Sequence, residues 1–415
     1  MNRLPLEDVT ILDLSWMIAG PHATKMLQDM GAHVIKVESH RSMDLLRSNN
    51  FRCDNQDWSE EGGWHFQMLN SGRENISINL KSTYGREALE ELIRKSDFVV
   101  CNYGTNAFKK LRLTYEELVK IKEDIIVVNA SGMGFTGPYN TYATYAPNLQ
   151  AVTGIAALVG FEGDREPYDD YPPLADYLGA IAVANHLLLA LEYRRRTGKG
   201  QFIDLSQFEA AVTYMGTPIL DHEANGTNHG LIGNHHFAGC MAPHNAYRCR
   251  EAESYCVIVA GDEAEWQRLR KVIDPNNVWS GSEKFATLEK RVKNERELDA
   301  HIEEWTLKHT PQEVGELLQA AKVSGAPVQK QLEFLYEDKH IEARKFFQKI
   351  DLPVTEERPF TWKVCGNAYR FAELPRPDIV PRAHGVGEDT EHILKEYLGK
   401  SEEWIRAGCE EHAFE

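Results

Sequence analysis

The feature that most constrains this chain is a regular alternation, through its N-terminal half, of short β-branched runs with amphipathic stretches. VTILDLS (Val9–Ser15) has the composition of a buried strand. AGPHATKMLQDMGA follows, with Pro21 suited to a first helical turn and Gly31 to a helix C-terminus. HVIKVES (His33–Ser39) is the next strand. Strand, helix, strand at this spacing is a βαβ unit, whose strands run parallel. The rhythm continues: NISINLK as a strand, YGREALEELIRKS as a helix, DFVVCNY as a strand, YEELVKIKED as a helix, IIVVNASG as a strand. A long helix pattern, YLGAIAVANHLLLALEYRRR, then leads through TGKGQ into the strand FIDLS and the helix QFEAAVTYM. The pattern predicts an α/β class with a Rossmann-like, doubly wound large domain.

The character changes near residue 216, where HEANGTNHGLIGNHHFAGCMAPHNAY is rich in Gly, Asn and His. SYCVIVAG reads as a strand, and residues 262–345 as mostly helical with a break at GAPVQK. The tail from Pro353 reads as irregular, ending in the helical stretches TEHILKEYLG and SEEWIRAG. The division expected is a large domain over 1–215, a smaller α+β domain over 216–335, and a C-terminal segment, 336–415, that returns to the large domain. A chain of 415 residues has room for two cores.

Charge and cysteine usage exclude some classes. The formal net charge of −17 argues against a nucleic-acid binder or a protein held on anionic lipid, leaving only local basic clusters to grip a phosphate-rich ligand. Seven scattered cysteines without a C-x-x-C pair read as reduced thiols, not a disulfide framework. The N-terminus carries Glu7, Asp8 and Asp13 beside its apolar run, unlike a signal peptide, and no apolar run reaches the roughly 18 residues of a membrane span. A soluble, cytoplasmic protein without a membrane partner is expected.

The first βα turn reads SWMIAGPH, without G-x-G-x-x-G, and no Walker sequence occurs, so nucleotide chemistry loses ground. The histidines His222, His229, His235, His236 and His244, with Cys240 and Cys249, match no zinc spacing, and no metal site is expected. Arg194–Arg196 suit the C-terminal end of a helix dipole. One residue stands apart. In YPPLADYLGA, Asp176 is a lone carboxylate among apolar and small residues. It suits a helix N-cap. It also suits a nucleophile, because loss of solvation raises a carboxylate's pKa and reactivity. Gly179, close by, leaves room for a ligand in that reading.

Five segments in order widen this reading: ILDLSWMIAGPHATKMLQDMGAHVIKVES, NSGRENISINLK, DFVVCNYGTNAFKKL, NASGMGFTGPY and LADYLGAIAVANHLLLALEYRRRTGKGQFIDLSQFEA. Together they resemble the family III CoA transferases, which include formyl-CoA, carnitine and benzylsuccinate CoA-transferases and the related alpha-methylacyl-CoA racemases. The resemblance implies that Asp176 is the catalytic nucleophile, forming a mixed anhydride and then an aspartyl-CoA thioester. It implies CoA contacts from Met17, Ile18 and Ala19 in the first βα turn, from Ile78 and Lys81, and from Asn102 and Lys110, with Tyr145 an active-site tyrosine. Ser39 stands where the family carries a CoA-contacting arginine, which leaves Arg41 or Arg47 as replacements. Tyr145 also stands where the racemases carry a proton-transferring histidine, which argues against racemisation. Formyl-CoA transferases close a run of glycines over the aspartate, and GNHHFAGCMAPHNAYRC lacks that run. APHNAYRC followed by SYCVIVAGDEAEW is most similar to the benzylsuccinate type, with succinyl-CoA as donor. A carnitine-type or other carboxylate CoA-transferase, a racemase and a non-catalytic CoA-binding subunit are the alternatives. The family fold implies an interlocked-ring dimer, homomeric or with a related subunit. No permanently bound cofactor is implied; acyl-CoA thioesters and carboxylic acids are the substrates.

Overall fold

The computed structural model describes residues 4–47, 63–164, 173–352, 360–374 and 380–414. They form two compact units. One takes the described residues of 1–155, 169–217 and 340–415, the other those of 156–168 and 218–339.

The first unit opens with β1 (Thr10–Asp13), α1 (Ala19–Gln28), β2 (His33–Glu38), α2 (Trp64–Asn70) and β3 (Glu74–Ser77). There follow α3 (Thr83–Lys95), β4 (Phe98–Cys101), α4 (Thr105–Lys110), α5 (Tyr115–Leu118), β5 (Ile126–Ser131), α6 (Ala146–Val152), α7 (Leu174–Thr197), β6 (Gln201–Ser206) and α8 (Gln207–Val212). The six strands pair in parallel in the order β3-β2-β1-β4-β5-β6. Side chains alternate across each strand, so each strand feeds two cores. Leu12, Ile35, Val99 and Val127 pack with Leu89 and Leu92 of α3. Ile11, Val34, Val100 and Val128 pack with Ala23 and Leu27 of α1 and Val183 and Leu187 of α7. Helices on both faces explain why these strands read as continuous apolar runs. The strand order reverses direction between β1 and β4. In open α/β sheets that reversal opens a crevice beyond the carboxyl ends of the strands.

The second unit is built from α9 (Gly216–Asn225), which crosses the boundary, β7 (His244–Arg248), β8 (Tyr255–Val259), α10 (Glu263–Ile273), α11 (Leu288–Lys293), α12 (Glu295–Thr306), α13 (Pro311–Ala320) and β9 (Ser324–Val328). Its three strands form an antiparallel sheet, β7-β8-β9, over a core that includes Tyr247, Ile258, Trp266, Leu298 and Val314. The chain then runs through α14 (Lys339–Ala343), the antiparallel pair β10 (Phe347–Leu352) and β11 (Phe360–Cys365), α15 (Thr390–His392) and α16 (Glu402–Glu410).

Three readings of the sequence need correction. GAPVQK is not simply a break between helices, because its first residues complete β9. Pro327 faces Cys256 in that ladder, and the strand lies at the sheet edge, where a missing N–H costs least. The tail is not irregular throughout, since β11 lies within it. The helix expected over YEELVKIKED shrinks to Tyr115–Leu118, and the residues after it close as turns that lead into β5.

Candidate active site

The crevice between β1 and β4 is framed by the turn Ser15–Ile18, and this turn has no glycine where a dinucleotide fold would carry one. Met17 adopts φ 60° instead, a left-handed conformation that non-glycine residues rarely take. The surroundings hold it there. The Met17 N–H donates to the Asp44 carboxylate (3.1 and 3.2 Å). The Trp16 N–H donates to Asn102 Oδ1 (3.1 Å), and Asn102 Nδ2 returns a bond to the Trp16 carbonyl (2.7 Å). Lys36 Nζ reaches the Ser15 carbonyl (2.9 Å) and Asp44 (3.1 Å). Beneath the turn, Asp13 accepts from the Ser15 N–H, the Thr24 hydroxyl and Arg73 Nη1, the last at 2.8 Å. Arg73 also donates to the Pro21 carbonyl. Strained backbone persists only where its setting over-determines it, and it clusters at functional sites.

The sequence-predicted residues divide in two. Ile18, Ala19 and Ile78 are buried, as core groups beside the turn and the sheet. Asn102 uses both ends of its amide to brace the turn. Lys81 and Lys110 are exposed and line one cleft of about 850 Å³, together with Arg86 and Arg112. Arg86 is committed to the Leu111 and Arg112 carbonyls and to Glu90. Tyr145 is more than half exposed at the start of α6, and no bond joins it to Asp176 among the described residues. Arg47 cannot stand in for the family's CoA arginine at position 39. It is buried, chelates Glu38, donates to the His384 carbonyl and stacks on Phe66 at 3.8 Å. Arg41 is exposed.

Asp176 sits inside the first turn of α7, not at its cap. Pro173 takes the cap position and Leu174 begins the helix, so the N-cap reading of Asp176 is corrected. The start of α7 is fixed from two sides. The fully buried Gln150 of α6 accepts from the Ala175 N–H (3.4 Å). The Tyr177 hydroxyl meets His65 Nε2 of α2 (3.1 Å), and the Tyr177 ring stands edge-on to His22 of α1 (5.2 Å, 82°). No hydrogen bond or ion pair reaches the Asp176 carboxylate among the described residues. Burial therefore pushes its carboxyl up to about 7. Burial acts oppositely on the neighbouring imidazoles, taking His22 down to about 4 and lowering His65, so both are neutral near pH 7. The space beside Gly179 is not open, as the sequence suggested. A Cβ there would come 3.0 Å from Cγ of Gln207. The chain thus holds a carboxylate that is half protonated near neutrality, at a helix start, in the same unit as a basic cleft. Sequence reading missed His65, Tyr177, Gln150 and Gln207, whose roles arise from pairings distant in the chain.

The histidine-rich loop is held by separate contacts: His229 with Asp221 (2.6 Å), His235 with Asp299 (2.8 Å) and also with Asn245 and Glu295, and His244 with the Asn234 carbonyl (2.5 Å). Among the described residues no group of three or more His, Cys, Asp or Glu could hold a metal ion. Among them, too, α7 is the one helix long and apolar enough to cross a membrane, against the expectation that no run approaches that length. Half of its most apolar stretch is buried within the protein, as in a core helix.

A profile of CoA-transferase family III matches residues 6–390, and the chain belongs to that family. It is similar to the succinyl-CoA:mesaconate CoA-transferase of Haloarcula marismortui, at 28% identity over 90% of this chain and 91% of that one. It is similar to the succinyl-CoA–D-citramalate CoA-transferase of Chloroflexus aurantiacus, at 29% identity over 96% and 95%. Among solved structures, a CAIB/BAIF family protein from Brucella suis superposes with a TM-score of 0.81 at 27% identity, covering 95% of this chain and all of that one. The enzyme is a CoA-transferase, with acyl-CoA thioesters and carboxylic acids as its substrate classes.

Proposed function

We propose that this enzyme moves CoA from succinyl-CoA to a second, succinate-like acid through a covalent intermediate on Asp176. The observation that carries the reading is the desolvated carboxylate of Asp176, which meets no hydrogen-bond or ion-pair partner among the described residues and whose carboxyl is pushed up to about 7. The ionised oxygen attacks the thioester carbonyl, the C–S bond breaks, and CoA leaves as thiolate. The thiolate then attacks the Asp176 acyl carbon of the mixed anhydride, releasing succinate and leaving an aspartyl-CoA thioester. The acceptor carboxylate repeats both steps in reverse and leaves as its CoA thioester. No net proton is consumed. Two easier steps replace one difficult exchange. Lys81 and Lys110 would hold the phosphate-bearing end of CoA as point charges. Donor and acceptor follow the similar enzymes, whose names join succinyl-CoA to the dicarboxylic acids mesaconate and citramalate. Benzylsuccinate belongs to the same chemical class and is the acceptor the small-domain sequence favours.

The active unit in this reading is a dimer in the cytoplasm, with a second copy or a related subunit as partner. α7 supports a protein partner. Large apolar side chains are normally buried. Ile181, Leu189 and Tyr193 nonetheless fall on one face of α7 and are 45%, 65% and 41% exposed. Six described cysteines are free thiols, which suits a reducing compartment.

Trapping tests the mechanism. After incubation with succinyl-CoA and quenching with hydroxylamine, the peptide that contains Asp176 should carry a hydroxamate. An unmodified Asp176 beside measurable transfer would rule the intermediate out.

A further inference from the structure

The carboxyl ends of β5 and β6 hold a group that the reaction has not yet used. Gln207, the first residue of α8, is 6% exposed. Its Nε2 donates to the Ala130 carbonyl (2.8 Å), which fixes which end of the amide is oxygen. The other end, Oε1, is buried and has no hydrogen-bond partner among the described residues. An unmet buried acceptor is costly, and native structures keep few of them without a reason. The side chain lies against α7 because residue 179 is glycine. A Cβ at that position would stand 3.0 Å from Gln207 Cγ and 3.3 Å from Oε1. Gly179 lies three residues after Asp176, so the two share a helix face about 4.5 Å apart along the axis. Ser131 Oγ, at the end of β5, is also buried and meets no partner among the described residues.

We propose that Gln207 Oε1 is a binding group for CoA, accepting a hydrogen bond from the cysteamine amide N–H. The inference rests on Asp176 being the nucleophile. The sulfur of any acyl-CoA must approach Asp176. The nearest amide of the CoA arm lies two methylenes from that sulfur, a reach comparable to one helical turn. Every donor and product of the reaction carries this N–H, so a single acceptor can serve the whole cycle. Gly179 is then the notch that admits the acceptor.

The test replaces Gln207 with Leu, which keeps the bulk and removes the acceptor, and with Glu, which keeps an acceptor. Gln207→Leu should weaken CoA binding by isothermal titration calorimetry about 5- to 30-fold, the range of one lost hydrogen bond. It should raise the KM for succinyl-CoA similarly, with a modest fall in the thermal midpoint from the lost Nε2–Ala130 bond, a fall that Gln207→Glu shares. The loss should vanish for a succinyl thioester of propanethiol, which has no amide, and persist for the thioester of N-acetylcysteamine, which has one. Gln207→Glu should retain more affinity than Gln207→Leu. Equal CoA affinity in Gln207→Leu and wild type would overturn the proposal, as would an equal loss with the propanethiol ester. Calorimetry with CoA needs no turnover, so it judges Gln207 apart from the transferase reading. That reading fails separately, if Asp176→Asn still transfers CoA.

Discussion

Glu38 and Asp176 are carboxylates placed in the same unit with opposite surroundings. Burial alone would raise Glu38, but the charges of Lys36 and Arg47 and the hydrogen bonds of Arg47 bring it down to about 2. It is fully engaged, chelating Arg47 and accepting from Asn75 Nδ2 (2.5 Å) and the Asp44 N–H (3.0 Å). Among the described residues Asp176 has no such partners, and burial takes it up to about 7. A paired carboxylate spends its charge on holding structure, here the Asp44–Arg47 segment and Asn75 of β3. An unpaired one keeps its lone pairs for a substrate and carries the cost of desolvation in the free enzyme. The contrast separates scaffold from chemistry more cleanly than burial does.

The largest effect expected from breaking this contrast is at Asp176. Asp176→Asn should lower CoA transfer by about 10⁴-fold or more while the protein stays folded, as for loss of other nucleophiles. Its stability should change in a direction fixed by the pKa. Folding favours the protonated acid, so ionisation costs stability as pH rises from the unfolded value of 3.8 through about 7. Asp176→Asn should therefore be the more stable protein at pH 8, by up to roughly 4 kcal/mol, and nearly equal to wild type at pH 4. Urea titrations at the two pH values read the difference, and an equal ΔG at pH 8 would mean that the carboxylate is solvated. The wild-type rate should rise with pH about a midpoint near 7.

Next in size is the scaffold. Arg47→Met should cost about 3–5 kcal/mol by urea denaturation, because it strands Glu38 as a buried charge. Glu38 is the depressed case, so its contribution is present above pH 4.5 and is lost as pH falls toward about 2. The penalty of Arg47→Met should shrink on acidification over that window. A penalty that does not change with pH would assign it to lost packing on Phe66 instead.

This same division decided what the sequence made legible. The parallel sheet could be read because its strands are apolar runs set between amphipathic helices, a local pattern. Asp176 could be read because segments before and after it occur in a recognisable order. The brace from Asn102 to Trp16 could not, since it links residues 86 apart, nor could the His65–Tyr177 pair, at 112. β9 was hidden by Gly325 and Pro327, which look like breakers until an edge position is known. Asp176 was misplaced because α7 opens three residues earlier than the apolar pattern suggested, at Leu174 with Pro173 as its cap.

A smaller effect should separate binding from chemistry. Lys81→Ala and Lys110→Ala should each raise the KM for succinyl-CoA by about 3- to 10-fold at low salt and leave kcat unchanged. Both groups are exposed, so the effect should fade above about 0.3 M salt. A fall in kcat from either variant would move the cleft into the reacting site.

The smallest expected effect sharpens the contrast most, because it leaves every charge in place. Tyr177→Phe removes only the hydroxyl that meets His65, and the ring edge on His22 remains. The lost bond should cost about 1 kcal/mol of stability. If the pair merely fills space, nothing else follows. If it sets the first turn of α7, the carboxylate loses its fixed approach to the thioester, and kcat should fall about tenfold with the KM for succinyl-CoA within twofold. Water should also reach Asp176 more easily, relieve its desolvation and move the pH midpoint of the rate downward from about 7. His65→Lys should move that midpoint further down, because a cation beside Tyr177 favours the ionised acid, whereas His65→Gln can still bond the hydroxyl and should leave it in place. The midpoint is what a purely structural role would not shift. The order wild type and His65→Gln, then Tyr177→Phe, then His65→Lys follows from the geometry, and a midpoint common to all four would show that His65 and the Tyr177 hydroxyl have no part in tuning the nucleophile.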